Sequence, residues 1–289
     1  MKKLLLFSFA LFVAVAAFSQ KKSAAAAPKT TLDLKEAIAQ KLVRLDIECL
    51  GGYRGEVLKI ICKNLTTKPL RVQIPQGQLM NPADSTWQTL VVAEAKLLAL
   101  GAKTPVQAML KTFCAEAGDG SPATGAAFSV GILAPENVRK MLQFIVERGK
   151  VDDPAAQQAV WCIANGNPLG GIGDAELTKF AADLLGKTLP GYRIKYKVTE
   201  TPGARQALGP ALKVEGNYIY FLEKTEKLSL TLFDASGKTV KTLFKNKEYS
   251  AGEHRSSLNL EVWNLKPGRY FLRLQTAKGE TVKEIEVEF

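Results

Sequence analysis

The sequence predicts a mainly β protein with an α-helical segment: an N-terminal β-sandwich, a short three-helix segment and a C-terminal sandwich. Two observations support this fold class. Apolar and polar residues alternate in short runs over residues 42–132 and again from residue 217, with Gly, Pro and Asn between the runs. Over residues 135–188 the apolar spacing instead becomes three and four residues. The first pattern is typical of antiparallel strands, and the second of helices that pack by one face.

The start of the chain has the features of an export signal. Two lysines in the opening MKK precede an apolar stretch over residues 4–18, which is too short to span a ~30 Å hydrocarbon core. Ala17 and Ser19 have the small-x-small spacing that signal peptidase requires. We therefore expect residues 1–19 to be a cleaved signal peptide, the alternative being an uncleaved anchor. Residues 20–33, which are Ala-rich and lack an apolar face, are predicted to be a disordered lead-in.

Charge and export together limit the class of partner. The formal net charge is +11, but the lysines are scattered among acids, with no run of five like charges. A dedicated polyanion site is therefore not expected, and export argues further against nucleic acid. We expect a protein of the periplasm, cell surface or extracellular space whose partner is an envelope glycan or protein. No transmembrane segment is predicted after signal cleavage.

The N-terminal sandwich is predicted over residues 34–134. Strand-like runs begin at Val43, and the turn GGYRG joins the first long pair into a hairpin. In that hairpin Cys49 lies opposite Leu58 rather than opposite Cys62, so this pair of cysteines is not expected to form a bridge.

The four cysteines of an exported chain permit two disulfides. The candidate bridge joins Cys114, at a strand end, to Cys162 in a helix, and would close a loop worth about 4 kcal/mol in the chain-entropy model. Two alternatives stay open: all four cysteines are buried free thiols, or Cys114 forms an internal thioester with Gln157 or Gln158.

The three-helix segment is predicted over residues 135–188. Each helix has an apolar face and local signals for its ends, such as a capping Asp followed by Pro, or a terminal Gly. Helices this short are marginal alone, so they bundle together or cover one end of the sandwich. Their predicted limits are Pro135 to Gly149, Asp153 to Gly166, and Asp174 to Gly186.

The sequence carries no recognisable catalytic centre. His254 is the only histidine and no cysteines are closely paired, so we predict no catalytic residue, no metal site, no cofactor and no enzymatic activity. The one candidate binding residue is Trp161, which shares a helical face with Gln157 and Gln158 and would serve as a stacking platform for sugar; the alternative is a core anchor. The rival hypothesis is a secreted carbohydrate-active hydrolase with carboxylates brought together by loops.

The last part of the chain is predicted to be a second domain. Residues 189–216 contain one strand-like run and a segment rich in Pro and Gly, and are interpreted as a strand and linker. Six period-two runs in residues 217–289 then predict a small immunoglobulin-like sandwich.

Three turn motifs in this domain carry a family likeness. They are D-x-x-G-K at Asp234 and Gly237, A-G-x-H around Gly252, and L-x-x-G-x-Y at Gly268 and Tyr270. The domain resembles the C-terminal sorting domain of type IX secretion cargo and related immunoglobulin-like domains. The resemblance implies the type IX secretion machinery as a partner, the alternative being an interaction or spacer module of the same fold. Upstream, GGYRGEVLKIICKNLTTKPLRVQIPQGQLM and QAVWCIANGNPLGGI are similar to exported bacterial envelope proteins of unassigned activity.

Overall fold

The structure, a computed structural model, describes residues 30–198 and 208–289. The predicted signal peptide, residues 1–19, and most of the predicted lead-in lie outside the described residues. Strands predominate over a few short helices, which confirms the predicted fold class. None of the helices in the described part of the chain is long and apolar enough to cross a membrane.

The elements of the described residues are as follows. The strands are β1 Thr31–Asp33, β2 Val43–Cys49, β3 Arg54–Asn64, β4 Leu70–Ile74, β5 Gln78–Pro82, β6 Leu90–Val92, β7 Lys96–Leu100, β8 Pro105–Cys114, β9 Phe128–Leu133, β10 Tyr192–Val198, β11 Leu208–Leu222, β12 Glu226–Asp234, β13 Thr239–Tyr249, β14 Gly252–Glu261, β15 Arg269–Thr276 and β16 Thr281–Glu288. The helices are α1 Leu34–Ala39, α2 Glu136–Glu147, α3 Pro154–Asn165 and α4 Ala175–Leu185, with a 3-10 helix at Leu169–Gly171.

The N-terminal region contains two sheets that share a core. One is antiparallel with the order β2-β3-β8-β6-β5-β9, and the other has the order β1-β4-β7. Buried residues from both sheets, including Leu58 and Ile60 of β3 and Val72 and Ile74 of β4, form one apolar cluster. The last three residues of the predicted disordered lead-in, residues 31–33, instead form β1, because they pair in parallel with β4. Helix α1 follows directly.

Helices α2, α3 and α4 cover the other face of the six-stranded sheet. Val91 and Phe113 of that sheet share a second buried cluster with Met141 and Leu142 of α2. The sheet is therefore buried on both faces, and β6 consequently has three consecutive buried residues instead of an alternating pattern. The helices both bundle together and cover the sandwich.

Local capping signals place α3 and α4 where the sequence predicted them. Asp153 accepts a hydrogen bond from the Ala155 N–H at 2.8 Å with Pro154 in the first turn, and Gly166 ends α3 with φ +74°. Asp174 and Gly186 perform the same roles for α4, where Gly186 has φ +63°. These caps confirm the predicted limits because each satisfies backbone groups that a helix end leaves open.

The C-terminal region is a second sandwich, with sheets β10-β11-β14 and β13-β12-β15-β16. One buried cluster contains residues of both sheets, among them Val214 and Leu272. The strand predicted within residues 189–216 is present, whereas the predicted boundary of the last domain differs from the structure. That strand is β10, which pairs with β11, and the predicted limit at residue 217 falls inside β11.

The two regions meet where β10 passes the 3-10 helix. A Cβ atom built on Gly170 would lie 2.9 Å from the ring of Tyr192, and one on Gly171 would lie 2.6 Å from the ring of Tyr196. These glycines therefore permit close approach of two tyrosines of the second sandwich. Tyr192 also accepts a hydrogen bond from the Glu288 N–H at 2.9 Å, which ties β10 to the other sheet of that sandwich.

Candidate functional site

Trp161, the predicted candidate for sugar binding, is a core residue. Its side chain is 0% exposed and stacks on Tyr53 with ring centroids 5.8 Å apart. The face of α3 that carries Trp161 points into the sandwich core, so a sugar cannot reach the ring. The binding prediction for Trp161 is wrong, and its alternative as a core anchor is confirmed.

The cysteines are four buried free thiols, and the predicted Cys114–Cys162 disulfide is not formed. Cys114 packs in the sandwich core together with Cys49, whereas Cys162 belongs to the cluster under the helices. Burial raises the pKa of Cys114 well above its usual value and that of Cys162 to about 11, so both remain protonated and unreactive. Cys49 lies opposite Leu58, as the hairpin predicted.

Gln157 joins helix α3 to the end of strand β8. Its carboxamide accepts from the Cys114 N–H at 3.0 Å and donates to the Cys114 carbonyl at 2.8 Å, and the side chain is 1% exposed. The Gln157 carboxamide thus pairs with both backbone groups of Cys114, as an adjacent strand would, at a buried position. Gln157 positions α3 on the sheet.

A cleft of about 580 Å³ opens where strand ends meet helices α2 and α3. Its walls are apolar at Leu79, Val138 and Ile163, and Glu116 lies among them. We call this space the Glu116 cleft. Its polar lining also includes three carboxamides, Asn81, Asn137 and Asn165. The size and the mixture of apolar walls with a few polar groups are typical of sites for small ligands.

Glu116 carries a half-buried carboxyl group and lies two residues after the end of β8. It accepts a hydrogen bond from the Thr89 N–H, but no lysine or arginine within residues 30–198 and 208–289 forms an ion pair with it. Burial is the main cause that raises the pKa of Glu116 above its usual value. The carboxyl group is therefore available for a positively charged or hydrogen-donating group that enters the cleft.

A second carboxylate lies at the rim of the same cleft. Glu136, in the first turn of α2, pairs with Lys140 at 2.7 Å, and this contact lowers the pKa of the Glu136 carboxyl. The cleft thus contains one desolvated and one ionised carboxyl group, although the chain as a whole is basic.

Two further contacts shape the floor and rim of the Glu116 cleft. Asn165 accepts from the Ala117 N–H at 3.0 Å and so holds the end of α3 to the segment that carries Glu116. Asn81 lies against Gly131, where a Cβ atom would come within 2.8 Å of the Asn81 Oδ1 atom. Sequence reasoning missed this site because Glu116 stands in EAGDG, which has the composition of a turn; its position two residues after a long strand was the only available signal.

Metal-ligating side chains do not assemble in the parts of the chain that the structure describes. No group of three or more His, Cys, Asp or Glu residues that could hold a metal ion occurs there.

The sorting-like motif residues of the C-terminal domain are turn and core residues. Asp234 accepts from Ser236 N–H and Lys238 N–H at 2.9 and 3.0 Å, and its hydrogen bonds, the one from the Ser236 hydroxyl first, lower the pKa of the Asp234 carboxyl. Gly237 follows with φ +82° in this turn. A side chain there would be strained, so the D-x-x-G-K motif specifies one turn geometry.

The other two motifs act in the same local way. Gly252 and Gly268 have φ of +119° and +152°, and Gly268 exchanges backbone hydrogen bonds with Phe289. Tyr270 stacks on Phe289 with centroids 5.0 Å apart and donates to the Lys266 carbonyl at 2.8 Å. This arrangement fixes the LKPG turn to the last strand, as a tyrosine corner does in immunoglobulin-like domains.

The comparison with known families agrees with this geometry. Residues 214–288 match the family model of the secretion system C-terminal sorting domain, which confirms the resemblance predicted from the sequence. The domain indicates a protein that is exported by type IX secretion to the cell surface or the extracellular space. No curated protein matches the chain.

Proposed function

We propose that this protein is an exported, non-enzymatic binding protein that takes a small ligand in the Glu116 cleft. The observation that supports this proposal is a half-buried carboxyl group, without an ion-pair partner in the described chain, that lines a cleft of about 580 Å³. A desolvated carboxylate is costly unless something compensates it. A bound cation or hydrogen-bond donor supplies that compensation.

The lining defines the class of ligand. Leu79, Val138 and Ile163 favour an aliphatic or small aromatic body, and Glu116 favours a positively charged head. Because Glu136 is already paired with Lys140 at 2.7 Å, the preference for a cation rests on the Glu116 carboxyl group. The ligand class is therefore a primary amine with a small apolar body, which is smaller than a glycan chain.

Ligand-observed NMR tests this assignment with defined probes. Isobutylamine and benzylamine are compared with isobutanol and benzyl alcohol, which have the same skeletons without the charge. We expect the amines to bind and the alcohols to bind at least tenfold more weakly, since hydrogen bonds to a charged group contribute about 1.5–3 kcal/mol. Glu116→Gln removes the preference, and Glu147→Gln, at the far end of α2, leaves it unchanged. Equal binding of both probe classes would contradict the proposal.

A hydrolase is the second candidate function, and one observation favours it. Glu116 and Glu136 line the same cleft, and their pKa values shift in opposite directions. A carboxyl group with a raised pKa suits a general acid, and an ionised carboxylate suits a base or nucleophile. Hydrolysis of p-nitrophenyl glycosides that disappears in both Glu116→Gln and Glu136→Gln would establish this function. Absence of turnover together with amine binding supports the binding protein.

We further propose that the C-terminal domain acts as the export address rather than as part of the binding site. A truncation that tests this must end at Thr188, because β10 and β11 belong to the second sandwich. We expect the full chain at the cell surface or in the medium and the truncated chain in the periplasm, by fractionation and intact mass. Export of the truncated chain would show that the address lies elsewhere.

A further inference from the structure

One stretch of strand β11 is paired on one side only within the described residues. Strand β14 pairs with β11 over Lys213–Leu222, but β10 pairs with it no further than Gly216. Residues 217–222, with the sequence NYIYFL, therefore present open backbone N–H and C=O groups along one side. We call this stretch the β11 edge.

The β11 edge lacks the features that keep strand edges from pairing. It contains no charged residue and no proline, and its register with β14 is regular. Ile219 and Phe221 point outward and are 49% and 66% exposed. By contrast, β16, which lies at the edge of the opposite sheet, has four charged residues, Lys283, Glu284, Glu286 and Glu288. Proteins normally protect edges with charges, prolines or bulges, so an unprotected edge marks a pairing site.

Space for a neighbouring strand exists beside the β11 edge. A groove of about 1060 Å³ is lined by Asn217, Tyr218 and Ile219, by residues of β16, and by residues 187–190 that precede β10. Its lining also includes Gly191 and Tyr192, where β10 begins. A strand paired with β11 would lie about 4.8 Å from it.

We propose that the β11 edge pairs with the β11 edge of a second copy of this chain, antiparallel and about a two-fold axis. The register places Tyr220 of one copy opposite Tyr220 of the other. Ile219 of each copy then lies opposite Phe221 of the other, because residues directly opposite share a face of the sheet. The two sheets β10-β11-β14 become one continuous sheet across the axis.

The edge itself favours a second copy over another occupant. Because NYIYFL is uncharged and has apolar side chains at its successive outward positions 219 and 221, a second copy of the same segment is complementary to it. Shifting the register so that Ile219 faces itself places Phe221 opposite Asn217, and the opposite shift places Ile219 opposite Glu223. The register centred on Tyr220 is the one that pairs all outward apolar side chains.

The ends of the edge fit the same arrangement. The chain leaves β11 after Leu222, and residues 223–225 form a turn. In the proposed register that turn reaches the place where β10 of the other copy starts to cover Gly216. The partner strand therefore ends where the open edge ends, and β10 does not obstruct it. Because the contact is short, its area falls below that of stable dimers, and we expect a dissociation constant in the micromolar range.

Sedimentation velocity over a range of concentrations tests the dimer, with the chain that begins at residue 20. We expect a concentration-dependent dimer, and Phe221→Lys is expected to raise its dissociation constant at least tenfold, since an edge lysine must be desolvated to pair. The matched control is Trp263→Lys, another apolar residue that is 64% exposed but lies off the edge. A monomer at about 100 µM, or a dimer that only Trp263→Lys weakens, would overturn the proposal.

Cysteine cross-linking tests the register. Chains with Ile219→Cys and with Phe221→Cys are oxidised separately and as a mixture, and the native cysteines are buried and free. In the proposed register the two positions lie about 5 Å apart between copies, whereas identical positions lie diagonally at about 8 Å, beyond the reach of a disulfide. We expect cross-linked dimers in the mixture only. Equal cross-linking of a single variant with itself would contradict the register.

Discussion

The two sandwiches of this chain leave different parts of their sheets uncovered. In the N-terminal region the six-stranded sheet is covered on one face by β1-β4-β7 and on the other by α2, α3 and α4. In the C-terminal region the two sheets pack against each other, and outward residues of β11 such as Ile219 and Phe221 are exposed. A cleft therefore forms where strands and helices meet in the first region, whereas the second region offers turns and edges. The proposed ligand site and the proposed pairing edge therefore lie in different regions of the chain.

The largest expected difference between the regions concerns their tryptophans. Trp161→Ala removes a fully buried ring that stacks on Tyr53, and we expect a loss of about 3–5 kcal/mol in the free energy of unfolding of the N-terminal region. Trp263→Ala, at a residue that is 64% exposed, should change stability by no more than about 0.5 kcal/mol. Calorimetry measures both. A comparable loss for both variants would contradict the contrast between a doubly covered sheet and an open one.

A polar tie in the N-terminal region gives the next largest effect. Gln157→Leu keeps the volume of the side chain but leaves the buried Cys114 N–H and C=O without their partners. We expect a loss of about 2–4 kcal/mol in the free energy of unfolding, measured by urea denaturation. Gln158→Leu, a half-buried neighbour on the same helix, is the control and should cost far less. If the two variants are equally stable, the Gln157 carboxamide does not fix α3 to the sheet.

The sequence predicts features of this molecule that depend on local chemistry. The caps of α3 and α4 and the turn at Asp234 follow from side chains within four residues of each other. The register that places Cys49 opposite Leu58 follows from one turn. Such features need no knowledge of distant parts of the chain, so inspection of the sequence finds them.

Features that depend on distant contacts were missed or misplaced. The Glu116 cleft requires Leu79, Glu116, Glu136 and Asn165 to meet, and nothing in their spacing reveals this. Trp161 lies on a helix that is buried on most of its surface, so its apolar pattern does not tell which face is exposed. The same limit applies to residues 208–216, which the sequence assigns to a linker but which form the first part of β11 and pair with β10.

A hydrogen bond of the C-terminal region gives a smaller effect. Tyr270→Phe removes the hydroxyl that donates to the Lys266 carbonyl at 2.8 Å but keeps the stack on Phe289. We expect a loss of about 0.5–1.5 kcal/mol in the unfolding of this region, with the N-terminal transition unchanged in calorimetry. Tyr249→Phe, in the same sandwich, is the control. A shift of both transitions would show that the two regions unfold together.

The smallest effects have opposite signs in the two regions and depend on pH. Burial raises the folded-state pKa of Glu116, so ionisation of this carboxyl group costs stability as the pH rises above the ordinary glutamate pKa of about 4.3. Glu116→Gln should therefore be more stable than the unsubstituted chain at pH 7 and should lose this advantage at lower pH. Hydrogen bonds lower the folded-state pKa of Asp234, so its contribution is present above the ordinary aspartate value and lost as the pH falls through the folded-state pKa. Asp234→Asn should therefore be the less stable form at pH 7, and its deficit should shrink in acid. Thermal unfolding of both variants beside the unsubstituted chain, at pH 3.5 and pH 7, measures the two signs. If Glu116→Gln is the less stable form at pH 7, the carboxyl group is compensated inside the protein and has no need of a ligand in the cleft.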